Sequence, residues 1–286
     1  MFTLRPECIP CAFSGCLRTL TAAGASPSCQ LETLQEAARL VANWDLGSSA
    51  PELGQSVQRL VQKKSGVADP YANAKKASNE TMMRLRPRLR EKVFYANNPL
   101  HEALTIAALA NRIDFGPSGF SPAETEALLL GKERPSFGLN QSLQLEEELS
   151  KARKVVFVLD NAGEIVADSL LMEVLEQPVV AIVRGKATIN DATMEDVEAT
   201  GLDEYATFLH TDDDLPGMPA TLPQEVEKSL SEADVIIAKG QGNFESLLGR
   251  DLSVYFLLMA KCAPVARYLG VKMGELVLTS EENKCR

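Results

Sequence analysis

The stretch Val155-Val156-Phe157-Val158-Leu159-Asp160-Asn161-Ala162-Gly163-Glu164 decides the fold. Its first five residues are apolar and three of them are β-branched, the pattern of a buried strand. Asp160-Asn161 ends the run, a glycine follows, and Ile165 to Leu171 resumes with helical spacing. The reading is strand, polar turn, helix. In an open parallel sheet such a turn lies beyond the carboxyl ends of the strands, where ligands bind. Asp and Asn offer hard oxygen donors to a divalent cation such as Mg²⁺ or Mn²⁺. The N–H groups that open the next helix suit an anion such as phosphate.

Downstream of Lys154 the same grammar repeats. Strands are expected over 155–159, 179–183, 206–209, 235–238, 254–258 and 276–279, with helices over 165–176, 192–200, 223–231, 244–248 and 264–269. This alternation implies parallel strands joined by right-handed crossovers. Upstream, the periodicity is helical from 31 to 44, 51 to 63 and 69 onward, where Pro87 should kink or divide a long helix carrying Arg84, Arg86, Arg88, Arg90 and Lys92. That basic segment reads as a solvated helix face. Residues 100–113 form an apolar, buried helix ending at Asn111 and Asp114. Ser121, Pro122 and Glu124 mark another helix start, and 135–141 reads as loop. The fold class expected is α/β: an all-helical N-terminal part, residues 1–150, packed on a doubly wound, mostly parallel sheet domain, residues 151–286.

The 286 residues carry a formal net charge of -10, with 45% hydrophobic and 24% charged residues. An acidic chain argues against a general nucleic-acid surface, but a bound cation can reverse the sign locally for a phosphorylated ligand. No apolar run reaches the roughly 20 residues of a membrane helix. The start of the chain has no basic segment followed by an apolar core, so a soluble cytoplasmic protein is expected. The spacing Cys8-x-x-Cys11 has no second pair to complete a zinc site. Its thiols, with Cys262, read as reduced or buried. The oligomeric state is not legible.

Four strand ends carry polar residues that fit one site. The first gives Asp160, Asn161 and Glu164. The second gives Arg184, Lys186, Asn190 and Asp191; Arg184 and Lys186 can hold phosphate oxygens. Asp191 can complete an all-oxygen metal shell with Asp160 and Asn161, and Asn190 or Asp191 can also cap the helix that follows. The third runs Lys239-Gly240-Gln241-Gly242-Asn243-Phe244-Glu245, where a Gly-x-Gly allows close backbone approach to a ligand but completes neither a dinucleotide fingerprint nor a P-loop. The fourth ends in Lys261. The chemistry that fits is metal-assisted phosphoryl hydrolysis, with Lys and Arg stabilising the transition-state charge. The acidic turn Asp212-Asp213-Asp214 reads as a solvated loop.

These residues also resemble a known family, the metal-dependent damage-control phosphatases. The matching pieces are Pro6-Glu7-Cys8-Ile9-Pro10-Cys11, Asp69-Pro70-Tyr71 with Lys75 and Ser78-Asn79, Asn111-Arg112-Ile113-Asp114-Phe115-Gly116, and Leu159 to Glu164. They continue with Arg184-Gly185, Asn190-Asp191-Ala192-Thr193, Ala238 to Glu245, and Lys261-Cys262-Ala263-Pro264-Val265-Ala266. The likeness is to the short prokaryotic branch with an early cysteine pair. The resemblance implies a divalent metal (Mn²⁺, Co²⁺, Ni²⁺ or Mg²⁺) on Asp160, Asn161 and Asp191. It implies phosphatase activity on small phosphorylated metabolites, sugar phosphates or phosphopantetheine-type compounds. Of the Arg-Thr-x-Lys motif of the long branch only Lys261 is kept. Catalysis is therefore expected at Asp160, Asn161 and Asp191, and substrate contact at Glu164, Arg184, Asn190, Lys239, Gly240, Asn243, Glu245, Lys261, Asn111 and Asp114. Two other readings remain: a non-catalytic sensor of a phosphorylated metabolite, and a carboxyl methyltransferase, for which no cofactor fingerprint is present.

Overall fold

The computed structural model describes residues 2–112, 121–131 and 134–281. Its strands are β1 (Phe137–Asn140), β2 (Val155–Val158), β3 (Val179–Val183), β4 (Thr207–His210), β5 (Val235–Lys239), β6 (Val254–Met259) and β7 (Leu276–Ser280). The helices of the first half are α1 (Cys8–Ala22), α2 (Pro27–Ala42), α3 (Ala50–Ser65), α4 (Ala72–Phe94), α5 (Pro99–Ala110), α6 (Pro122–Leu130) and α7 (Ser142–Leu149). Those of the second half are α8 (Glu164–Val174), α9 (Met194–Thr200), α10 (Gln224–Ser231), α11 (Gly240–Leu247) and α12 (Ala263–Leu269).

The strands form one sheet in the order β1-β7-β6-β5-β2-β3-β4. Every pairing is parallel except β6 with β7. From β2 the chain steps outward through β3 and β4, then returns to the other side of β2 at β5. This reversal is the switch point where an open sheet leaves a crevice. Both faces are covered, which is why the strands read as unbroken apolar runs. Val155 and Phe157 face a core built with α4, α5 and α8, while Val156 and Val158 face a second core built with α10, α11 and α12.

Four expectations are corrected. Residues 135–141 are not all loop, because β1 lies there and pairs in parallel with β7, Phe137 opposite Leu276. Strand β7 runs antiparallel to β6. Pro87 does not divide α4, whose buried Met82, Leu85, Leu89 and Val93 continue on both sides of it. Nor is the basic face of α4 merely solvated: Arg86 and Arg90 both pair with Glu173 of α8, and Arg88 pairs with Glu126 of α6.

The boundary expected at residue 150 falls inside one packed body, since α4 to α7 share a core with β2, α8 and α9. Helices α1, α2 and α3 have a separate small core around Cys16, Leu20, Ala37, Leu53, Val57 and Val61. The Asp212-Asp213-Asp214 turn ties that unit to the sheet. Gln55 of α3 donates to Asp213 and Asp214, and Arg59 donates to Asp214 at 2.9 Å. Among the described residues no helix is long and apolar enough to cross a membrane.

Candidate active site

The turn after β2 is fastened from two sides. Gly163 has φ +74°, and a Cβ there would lie 1.9 Å from Ser78 Oγ of α4. Only glycine fits both the backbone and the approach. The Gly163 N–H donates to Asn79 Oδ1 at 2.6 Å, and Asn79 also donates to Asp196. On the other side the segment after β3 pairs with the turn. Ala162 N–H donates to Asn190 O at 2.9 Å and Ala192 N–H to Asp160 O at 2.8 Å, setting Asn161 opposite Asp191. The helix cap expected at Asn190 or Asp191 belongs instead to Thr193, in a capping box with Asp196.

This pairing brings the three expected metal ligands together with one oxygen each unengaged. Asp160 Oδ2 accepts from Asn161 Nδ2 at 2.7 Å and from Asn111 Nδ2 at 3.0 Å. Asp191 Oδ2 accepts from Arg184 Nε at 2.8 Å. Asn161 Nδ2 donates also to Glu164 Oε2 at 2.9 Å. Among the described residues nothing donates to Asp160 Oδ1, Asn161 Oδ1 or Asp191 Oδ1, and all three residues line a cavity of about 350 Å³. Gly240 backs the acid from behind: at φ +77°, a Cβ on it would lie 1.9 Å from Asp160 Oδ2.

The charge balance points the same way. Glu164, Asp168 and Asp191 are buried, Asp160 is half-buried at the cavity, and the buried cations among them are Lys239 and Arg184. With half-buried Asp160 and Lys261 counted in, these carboxylates exceed the cations by one, an excess that a divalent cation at the unengaged oxygens would offset. Burial pushes the Asp160 carboxyl up to about 8, helped by Glu164 and Asp191 and opposed by Lys261 and Arg184. Burial raises Asp191 too, with Arg184 pulling it back. A cation beside these acids would favour their charged forms. No group of three His, Cys, Asp or Glu suited to a metal occurs among the described residues. Here the third donor is a carboxamide, an acceptable oxygen for Mg²⁺ or Mn²⁺.

The residues expected at the substrate divide into two groups. Asn190, Glu245 and Lys261 line the cavity, as do Gln241, Cys8, Cys11 and Cys262. Helices α1 and α3 form the opposite wall, with Arg18, Leu53, Val57 and Gln58. The others stand behind it. Lys239 is not a phosphate contact. Its ammonium is fully buried and donates to Glu164, Asp168 and Ala107 O, which uses its three N–H groups. Arg184 is likewise buried away from the cavity and joins Asp191 to Asn243. Asn243 spends its amide on the carbonyls of Leu159 and Lys239. Glu164, Asn111 and Gly240 hold Asp160 and Asn161 and do not line the cavity. Lys186 is exposed outside it. Asp114 lies outside the described residues.

Two contributors were not read from the sequence. Gln241 lines the cavity and accepts from Lys261 N–H at 2.6 Å. Asp168 pairs with Lys239 at 2.6 Å. Its signal was available: Glu164 and Asp168 stand four apart, on one face of a mostly apolar helix.

Fold and site together define a class, a doubly wound α/β protein that gathers carboxylates and a carboxamide at the carboxyl end of its central strand. The model of the damage-control phosphatase ARMT1-like domain matches residues 4–277. A damage-control phosphatase of Archaeoglobus fulgidus is 37% identical over 232 residues, 79% of this chain and 80% of its own. A damage-control phosphatase of Pyrococcus horikoshii is 32% identical over 278 residues, 95% of this chain and 96% of its own. The crystal structure of a DUF89 family protein from Pyrococcus horikoshii superposes with a TM-score of 0.86 at 29% identity, covering 98% of this chain and 99% of that one. The chain belongs to the damage-control phosphatase ARMT1-like family, and its named relatives are phosphatases.

Proposed function

We propose that this chain is a metal-dependent phosphatase that hydrolyses small phosphorylated metabolites, sugar phosphates or phosphopantetheine-type compounds, with Asp160, Asn161 and Asp191 holding Mn²⁺, Co²⁺, Ni²⁺ or Mg²⁺. The observation that carries the reading is the set of three unengaged oxygens on one cavity wall, in a site where carboxylates outnumber cations. When bound there, a divalent cation neutralises phosphate charge and polarises the bond to the leaving group. The protein's own groups do the rest. Lys261, at the end of β6, brings a cationic side chain to the cavity for phosphate oxygens. Asn190 Nδ2, buried and without an acceptor among the described residues, can donate to the same group. Helices α1 and α3 cover the strand ends and limit water around the ester. The described cysteines are free thiols, which accords with a reducing, cytoplasmic setting.

The test is phosphate release from a panel of phosphorylated metabolites by metal-stripped protein, with each of the four cations restored in turn, beside Asp160→Ala. The expected result is cation-dependent release from a subset of the panel that the variant abolishes. Folded protein that binds the cation and releases no phosphate from any member would instead mark a sensor.

A further inference from the structure

Glu164 and Asp168 lie one turn apart on α8 and present their carboxylates to the same side. Lys239, at the end of β5, enters between them, and all three side chains are fully buried. Its Nζ is 2.6 Å from Glu164 Oε1, 2.6 Å from Asp168 Oδ1 and 3.0 Å from Ala107 O. Every N–H of the ammonium is committed, so it fixes Glu164 in place. Glu164 in turn accepts from Asn111 Nδ2 at 3.1 Å and from Asn161 Nδ2 at 2.9 Å. With its NH₂ held between Glu164 and Asp160, the Asn161 carboxamide has its oxygen on the opposite side. Were Glu164 to turn away, that amide could rotate by half a turn. N–H donors would then stand where a cation needs a lone pair.

We propose that Asp168 and Lys239 are positioning residues of the metal site, which act through Glu164 to hold the Asn161 carboxamide with its oxygen toward the cavity. This rests on the reading that Asp160, Asn161 and Asp191 hold a divalent cation. Asp168 is absent from the cavity wall, and the only hydrogen bond its carboxylate accepts among the described residues comes from Lys239. An isolated buried carboxylate is costly and is expected only where it is paired. Groups behind a metal ligand commonly alter metal affinity by about 10- to 100-fold.

The test uses the full chain and Mn²⁺ alone. Affinity and the electron paramagnetic resonance spectrum of bound Mn²⁺ are measured for wild type, Asp168→Asn, Glu164→Gln and the double variant, with a thermal unfolding transition to show that each is folded. Asp168→Glu replaces Asp168→Asn in the cycle if the latter does not fold. The expected result is binding at least about tenfold weaker in Asp168→Asn, an altered spectrum, and little further loss when that change is added to Glu164→Gln. Unchanged affinity and spectrum in Asp168→Asn would overturn the proposal. So would the same fold-loss in both backgrounds, because that is long-range charge rather than action through Glu164. Wild type that binds no Mn²⁺ would remove the metal site itself, and this inference with it, before any variant is compared.

Discussion

Glu245 is 7% exposed, lines the cavity beside Cys8 and Cys262, and its carboxyl accepts no hydrogen bond among the described residues. Burial pushes it up to about 7 from the ordinary 4.5. The folded state therefore holds a proton that the unfolded chain has already lost between those values. Stability falls as pH rises through that window and stays lower above it, by up to about 3 kcal/mol at 1.4 kcal/mol per unit. Glu245→Gln should raise the melting temperature at pH 8 and leave it nearly unchanged at pH 4.5, as differential scanning calorimetry would show. An equal shift at both pH values would contradict this account. The residue scale also shows what a sequence can and cannot disclose. That Asp160, Asn161 and Asp191 come together on one cavity was legible because they follow the carboxyl ends of the adjacent strands β2 and β3. Lys239 and Arg184 were legible as charges near the site but not as supports. A cation after a strand reads the same whether its head reaches a cavity or turns back under a helix, and only the packed α8 decides.

At the scale of elements, the site depends on α4. Asn79 joins three of them: its Oδ1 accepts from Gly163 N–H of the turn after β2, and its Nδ2 donates to Asp196 of α9 at 2.9 Å. Lys75, one turn earlier, pairs with Asp196 at 3.1 Å and with Asp69 at 3.3 Å. Asn79→Ala would strand a buried N–H and weaken the hold on Asp196, a loss of about 1–3 kcal/mol. Urea unfolding should show a lower midpoint with an unchanged slope. Wild-type stability in this variant would mean the turn is held by β3 alone. The downstream strands were legible from their apolar runs, and the helices from spacing and caps such as Ser121. Two things were not. Strand β1 is four residues with a central glycine, too short for period or propensity to register, and it exists because β7 offers an edge. The direction of β7 leaves no mark in its own residues, which are as buried and apolar as those of the parallel strands.

For the molecule as a whole, the division into a helical half and a sheet half follows composition and not packing. Helix α5 is buried nearly all round because it sits on α8 and β6 inside the sheet's own core. The separate unit is α1 to α3, and it supplies one wall of the cavity. The cavity is thus lined by two packed units, with the candidate metal ligands at the join. At this join buried carboxylates outnumber buried cations. The most direct test is anomalous diffraction from crystals of the protein grown with Mn²⁺. The account predicts a peak within coordination distance of Asp160 Oδ1, Asn161 Oδ1 and Asp191 Oδ1, lost in Asp160→Ala. A peak on the Cys8, Cys11 and Cys262 side of the cavity, or no peak in wild type, would contradict it.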